Sequence, residues 1–437
     1  MNNNKIQKVS ESIIRLPGVR SIGVIGDPGC EGLGTYNMKV YAGALEETGS
    51  DDITLVVGDL VPAGTRHHYQ TIQELTEILA GNRVYALRGN HDTGAYTEYF
   101  GEKNYSGSAF EKDGTLCFFY TGNVRYEGDY NYVTDGREQN TILITSEDGY
   151  HFSEKQLLMT NDDYPADMSR HVRDPQVFRE NGRYFMIQGA RSAEDEGSVL
   201  LFESGDLIHW SYKLRFQPEK PFGYMWECPD IYELDGRTVF CISPQGVKAE
   251  GLTYANLYQS VTCFLEGDFR TNATLGAFRE LDGGFDFYAP QTFLSEDGRR
   301  IQIAWMGLPD VEEFYTNRTV EDGWQHMMTI PRELSVEKGI LCQKPVRELS
   351  QWWNSSCSFG ACFQENVESC CELAVHTRGG SLTICLAEGL KLWYQREEGI
   401  FWMEFTDPLL GAGRTVRGRR VEELTELRIL IDVSSVE

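Results

Sequence analysis

The sequence predicts a mainly β protein: a β-propeller with four blades recognisable, followed by a β-sandwich and preceded by a small α/β segment. Three observations carry this reading. The first 105 residues alternate short apolar runs with helix-like stretches, whereas from Ser106 the helical patterns stop and one unit recurs four times. From about residue 350 the chain alternates apolar and polar residues as sandwich strands do. The expected domains are 1–105, 106–349 and 350–437.

With 437 residues and 41% hydrophobic content, the chain can bury more than one core. A formal charge of -26 repels polyanions, so nucleic acid and anionic membrane surfaces are not expected partners. Met1 to Arg20 lacks the apolar core of a signal peptide and no stretch approaches a membrane span, which makes a cytoplasmic location the expectation. Eleven cysteines without a C-x-x-C pair suggest neither a disulfide nor a zinc framework. The basic cluster Arg414, Arg417, Arg419 and Arg420 reads as a solvated turn between strands.

In the first segment, apolar runs at Ser21 to Ile25, Ile53 to Val57 and Val84 to Leu87 read as strands. Tyr36 to Glu47 and Tyr69 to Ala80 read as helices, the second with an apolar stripe of Ile72, Leu75, Ile78 and Leu79. A βαβαβ order places Asp27, Asp59, Asn90 and His91 at the carboxyl ends of parallel strands, where such sheets carry their sites. Oxygen and imidazole ligands there suit a pair of divalent metals acting on a phosphate ester.

Gly26-Asp27, Gly58-Asp59 and Gly89-Asn90-His91-Asp92 together resemble the calcineurin-like metallophosphoesterases. That resemblance implies Asp27 on one metal, Asp59 bridging, Asn90 on the second and His91 protonating the leaving group. Asp27-Pro28-Gly29 replaces the family's Asp-x-His pair, and the later Gly-His-x-His motif has no counterpart. The expectation is therefore a structural remnant of a phosphatase half-domain.

The four recurring units open at Ser106, Arg173, Glu227 and Tyr288, roughly 55 to 65 residues apart. Each passes through an Asp-Gly or Asn-Gly turn (Asp113-Gly114, Asn181-Gly182, Asp235-Gly236, Asp297-Gly298) into an aromatic-rich strand. Propeller blades line a central channel with their first strands, so Ser106, Arg173, Asp174, Glu227 and Tyr288 are expected to share one funnel.

Two carboxylates facing one pocket form the pairing used in glycoside hydrolysis. Glu227 follows Tyr224-Met225-Trp226, and partial burial among aromatics would raise its pKa toward that of a general acid. Asp174, beside Arg173, is expected to stay ionised and to accept hydrogen bonds from sugar hydroxyls. The alternative, that both carboxylates merely cap turns where blades start, stays open on residue type alone.

Arg173-Asp174-Pro175, Trp226-Glu227-Cys228-Pro229-Asp230, Ser243-Pro244-Gln245-Gly246, Phe285 to Gln291, Trp305-Met306-Gly307 and Pro331-Arg332-Glu333-Leu334 occur in this order. In these motifs residues 106 to 437 resemble glycoside hydrolase family 32, the invertases or β-fructofuranosidases. The resemblance implies a five-bladed-type β-propeller followed by a β-sandwich, truncated here, and retaining hydrolysis of sucrose, sucrose 6-phosphate or fructans, with Glu227 as acid/base and Asp174 as transition-state stabiliser. It further implies that Arg173, Ser106, Tyr288 and Trp305 line the fructose subsite, and that this domain takes a small carbohydrate and needs no cofactor. Divalent metals are implied only for the first segment.

The family's nucleophile is the aspartate of a Trp-x-Asn-Asp-Pro-Asn-Gly motif in its first blade, which has no counterpart in this chain. The four units then correspond to the second to fifth blades, with residues 1–105 where the first would stand. Without that aspartate no glycosyl-enzyme intermediate forms, and a weak or inactive catalyst is expected. The last residues, Asp432 to Glu437, stand where family sequences continue, and a chimeric or fragmentary reading frame is the simplest account of both ends. Two other readings remain: a non-catalytic fructoside-binding module, and a metal-dependent phosphoesterase through the first segment.

Overall fold

The computed structural model describes residues 6–7, 22–26, 36–51, 53–58, 66–81, 83–88, 106–126, 128–148, 152–307, 319, 326–351, 353, 355–360, 364, 366–367, 370–387, 389–432 and 435–437. Within the first segment, strands β1 (Ile6–Gln7), β2 (Ile22–Gly26), β3 (Ile53–Gly58) and β4 (Arg83–Arg88) form a parallel sheet in the order β1-β4-β3-β2. Helices α1 (Tyr36–Glu47) and α2 (Arg66–Leu79) lie between the strands in sequence. Ile25, Val56 and Val84 from the sheet bury with Met38, Tyr41, Leu45, Tyr69 and Ile72 from the helices.

The expected stripe on α2 needs one correction. Ile78 is 73% exposed, because it lies about 120° around the helix from Ile72. Thr76 takes the inward place, with its hydroxyl 2.8 Å from that of Tyr41. The four residues expected as metal ligands and acid, Asp27, Asp59, Asn90 and His91, lie outside the described residues.

Four antiparallel sheets follow in chain order. The first contains β5 (Gly107–Lys112), β6 (Thr115–Arg125), β7 (Arg137–Ser146) and β8 (Gln156–Met159). The second contains β9 (Met168–Glu180), β10 (Arg183–Ser192), β11 (Gly197–Ser204) and β12 (Trp210–Phe216). The third comprises β13 (Met225–Leu234), β14 (Arg237–Gln245), β15 (Val261–Glu266), β16 (Thr274–Leu275) and β17 (Arg279–Glu280). The fourth comprises β18 (Tyr288–Leu294), β19 (Arg300–Met306), β20 (Met327–Met328), β21 (Arg332–Glu337) and β22 (Ile340–Pro345).

Type I′ hairpins need two residues with positive φ. Asp113-Gly114, Asn181-Gly182 and Asp235-Gly236 supply them, with φ of 53° and 88°, 48° and 77°, and 50° and 76°. The middle blades are apolar on both faces, since a strand sends successive side chains to opposite sides. In the second sheet, Met186, Leu200 and Phe202 pack toward the first sheet, with Phe119 and Leu143. Phe185, Ile187, Val199 and Leu201 pack toward the third, with Trp226, Phe240 and Ile242. The third and fourth sheets share a core of Tyr232, Val239, Phe287, Ala304 and Leu334.

Beyond the blades lie a three-stranded sheet, β23 (Cys370–His376), β28 (Glu426–Asp432) and β29 (Ser435–Val436), and a four-stranded one. The latter runs β24 (Leu382–Leu386), β25 (Leu390–Gln395), β26 (Ile400–Phe405) and β27 (Arg417–Arg420). The protein is thus mainly β, as expected.

The basic cluster departs from its expected role. The Arg414 side chain is only 3% exposed and donates to both oxygens of Asp286 at 3.0 Å. Arg417 is buried, bonds Asn256 Oδ1 at 2.7 Å and stacks on Phe285. Both arginines therefore join the last sheet to the segment before β18, while Arg419 and Arg420 stay exposed. Guanidinium groups tolerate this burial because their planar faces stack on aromatics while their edges donate. No helix among the described residues is long and apolar enough to cross a membrane.

Candidate active site

The inner strands β9, β13 and β18 share one irregularity. Between Arg173 and Gln176, Glu227 and Asp230, and Tyr288 and Gln291, each strand advances three residues while its partner advances two. The extra residue precedes a proline in every case and has positive φ: Asp174 at 61°, Cys228 at 47° and Ala289 at 50°. Proline cannot donate to the ladder, so an X-Pro pair accommodates a bulge, and a bulge re-aims the side chain beside it. Positive φ at non-glycine residues stores strain of about 1–3 kcal/mol each, the kind found at functional sites.

The re-aimed residues are Arg173, Glu227 and Tyr288, and they meet. Arg173 donates to Glu227 Oε1 from Nε at 3.0 Å and from Nη2 at 2.6 Å. Glu227 Oε2 accepts from the Tyr288 hydroxyl at 2.5 Å and from Gln245 Nε2 at 2.6 Å. The neighbouring Trp226 faces the opposite way, into the core, where its indole N–H bonds the Phe222 carbonyl at 2.7 Å. Gly189 lets this strand come close: a Cβ there would lie 2.1 Å from the Trp226 carbonyl oxygen.

Asp174 sits beneath the same guanidinium, its Oδ2 4.0 Å from Arg173 Nε. That oxygen accepts from the Cys228 backbone N–H at 3.0 Å, and the Asp174 N–H donates to Thr121 Oγ1. Burial pushes the Asp174 carboxyl up to about 6 against the pull of Arg173, and the charge on Glu227 adds to the rise. The charge pattern expected from sequence is therefore altered. Arg173 gives its short contacts to Glu227, 54 residues away, and not to its neighbour Asp174.

Ser106 is exposed at the head of the first blade, and its carbonyl accepts from Thr121 N–H at 3.3 Å. Trp305 pairs in register with Tyr288, its ring 5.0 Å from that of His326.

Four further residues complete the geometry. Gln245 lies within a motif already noted. His171 precedes Arg173 by two residues, and its Nδ1 lies 2.8 Å from Arg173 Nη1. Gln139 Oε1 accepts from the same Nη1 at 3.4 Å. Asp230 ties three blades, accepting from Gln176 Nε2 of the second and from Thr292 Oγ1 of the fourth at 2.6 Å. Its presence beside Cys228-Pro229 was the only sequence signal for it. A separate cleft of about 1650 Å³, lined by Phe285, Phe405, Arg332 and Leu430, lies between the fourth blade and the last sheets, and Asp174 and Glu227 do not line it. Among the described residues no three His, Cys, Asp or Glu side chains group to hold a metal.

Successive four- to five-stranded antiparallel sheets thus set two carboxylates around one arginine on their inner strands. The model of the glycosyl hydrolases family 32 N-terminal domain matches residues 94–345. The chain is 36% identical over 349 residues to the sucrose-6-phosphate hydrolase of Bacillus subtilis, covering 76% of this chain and 70% of the relative. It is 36% identical over 351 residues to the raffinose invertase of Escherichia coli, covering 76% and 71%. A solved β-fructofuranosidase of Bombyx mori superposes with a TM-score of 0.60 at 28% identity, covering 77% of this chain and 71% of that one. This chain belongs to glycosyl hydrolases family 32, a family of glycosidases.

Proposed function

We propose that the funnel binds the fructosyl group of sucrose, sucrose 6-phosphate or a fructan, and that turnover is slow. Glu227 is the acid/base of this reading, Asp174 accepts hydrogen bonds from fructose hydroxyls, and Arg173, Ser106, Tyr288 and Trp305 line the subsite. The observation that carries it is one guanidinium holding both carboxylates, 2.6 Å from Glu227 and 4.0 Å from Asp174. The relatives' names supply the sugar.

The geometry also bears on rate. Both Glu227 oxygens are occupied by donors, so a substrate must displace one of them, Gln245 or Tyr288, before Glu227 can pass a proton to a leaving oxygen. No aspartate of a Trp-x-Asn-Asp-Pro-Asn-Gly motif is present to attack the anomeric carbon. In this reading the propeller spans 106–349 and the sandwich 350–437, and residues 1–105 stand in place of a first blade.

Titration calorimetry with fructose and sucrose, run beside a product-release assay, tests it. Binding of both with little release of glucose is expected. Rapid release from sucrose, abolished by Glu227→Gln, would overturn slow turnover, and absence of binding would overturn the fructoside reading.

A second reading attaches to the first segment, because β2, β3 and β4 are parallel and end at Gly26, Gly58 and Arg88, one or two residues before Asp27, Asp59 and Asn90-His91. It is a phosphoesterase. Manganese-dependent hydrolysis of an aryl phosphate, lost in Asp59→Asn, is its required result, and no such hydrolysis removes it.

A further inference from the structure

Three side chains donate to the Glu227 carboxylate, and one of them comes from the fourth blade. Arg173 and Gln245 stand on the second and third blades, whereas Tyr288, whose hydroxyl lies 2.5 Å from Oε2, opens the fourth. Tyr288 is buried, and its hydroxyl also lies 3.3 Å from the Ser243 carbonyl oxygen. Where that hydroxyl sits therefore depends on how the chain enters β18.

The entry is held by the last four-stranded sheet, residue by residue. Arg417 of β27 donates from Nε to Asn256 Oδ1 at 2.7 Å, and Asn256 Nδ2 donates to the Gly284 carbonyl at 3.0 Å. The Phe285 ring packs 4.5 Å from that of Phe405 on β26. Asp286 accepts Arg414 Nη1 on both oxygens at 3.0 Å. Only Phe287, buried in the core shared by the third and fourth blades, separates Asp286 from Tyr288.

Arg414 is itself fixed. Its Nε donates to the Gly411 carbonyl at 3.1 Å and its Nη2 to the Leu410 carbonyl at 3.2 Å, so all three nitrogens are engaged. Its guanidinium also lies 5.2 and 4.8 Å from the ring centres of Phe285 and Phe405. Close packing leaves no slack between this anchor and the site, so displacement at Asp286 passes along the backbone to Tyr288.

We propose that Arg414 is a positioning residue for the site: by fixing Asp286 it sets how the Tyr288 hydroxyl meets Glu227, and it thereby couples the last four-stranded sheet to that carboxylate. The effect on sugar binding rests on the fructoside reading of the funnel, in which Tyr288 lines the subsite; the coupling itself does not. A hydrogen bond weakens steeply once its geometry is lost, and a misplacement of about 1 Å at a site can cost about a hundredfold.

Two measurements on the same proteins test it. Protein isotope-labelled at the tyrosine Cζ gives a Tyr288 resonance, assigned by its loss in Y288F, and calorimetry reads fructose affinity. In R414Q the resonance is expected to move, and fructose affinity to fall about tenfold. The double variant R414Q/Y288F is expected to bind fructose no more weakly than Y288F, because both changes act on one contact. D286N sets an amide donor against the guanidinium, is expected to move the resonance too, and keeps the test available should R414Q fail to fold. R428Q breaks the 2.6 Å pair with Glu372 in the neighbouring three-stranded sheet and is expected to leave the resonance in place. A Tyr288 resonance unmoved in R414Q or in D286N, or affinity losses that add in the double variant, would overturn the proposal. An equal shift in R428Q would overturn the route through Asp286. A resonance that moves in R414Q while the wild-type chain binds no fructose overturns the fructoside funnel and leaves the coupling standing.

Discussion

Replacing Arg173 with glutamine is expected to destabilise the fold by about 3–5 kcal/mol at neutral pH and to abolish fructoside binding. The side chain is 13% exposed and Glu227 is 16% exposed, so two carboxylates would stay in a poorly solvated floor after their cation is gone. The loss should also depend on pH. Asp174 has a folded-state pKa of about 6, above the ordinary carboxylate value of about 3.9. The folded state therefore binds a proton more tightly than the unfolded chain, and this group's contribution is complete below the unfolded pKa and lost as pH rises through about 6. Arg173 lowers the Asp174 pKa, so its removal extends that loss to higher pH. The deficit of the variant should widen between roughly pH 5 and 8 and narrow below. Urea unfolding across that range measures it, and a deficit that is small or flat with pH would contradict the account.

The second large effect is expected at Arg332. Its Nη1 donates to Asp282 Oδ2 at 2.9 Å and to Gln343 Oε1 at 3.0 Å, and its Nη2 to Glu437 Oε2 at 2.7 Å. Glu437 is 7% exposed and also accepts from the Ile330 N–H at 2.7 Å, which fastens β29 and its sheet to the fourth blade. Arg332→Met removes the guanidinium that lies 5.0 Å from the Phe287 ring centre and strands two carboxylates, at a cost of about 3–5 kcal/mol. The loss should appear as a second, earlier thermal transition, with proteolysis beginning in residues 370–432. A single transition at the wild-type temperature would refute the role given to Arg332.

What could be read from the chain was what neighbouring residues encode. The parallel strands and helices of the first segment follow from apolar spacing. The hairpins follow from Asp-Gly and Asn-Gly pairs that tolerate positive φ at both positions, and the blades from the repetition of that unit. Arg173, Asp174, Glu227 and Tyr288 could be named because each opens a unit, and Gln245 lay in a motif already in view.

The partners could not be read in this way. Arg173 chooses Glu227 over the adjacent Asp174 because an X-Pro bulge rotates each inner strand, and only the packing of one blade on the next fixes which side chains then meet. Arg414 and Arg417 look like solvated charge in sequence, and become buried links because Phe285 and Asp286 arrive from the segment before β18. By itself the sequence determined the mainly β architecture, the order of its units and the chemical types that open them, since turns and alternation depend on adjacent residues. Tertiary structure alone decided which charges share a dry floor and which face solvent, because burial and pairing are properties of surfaces brought together from distant parts of the chain.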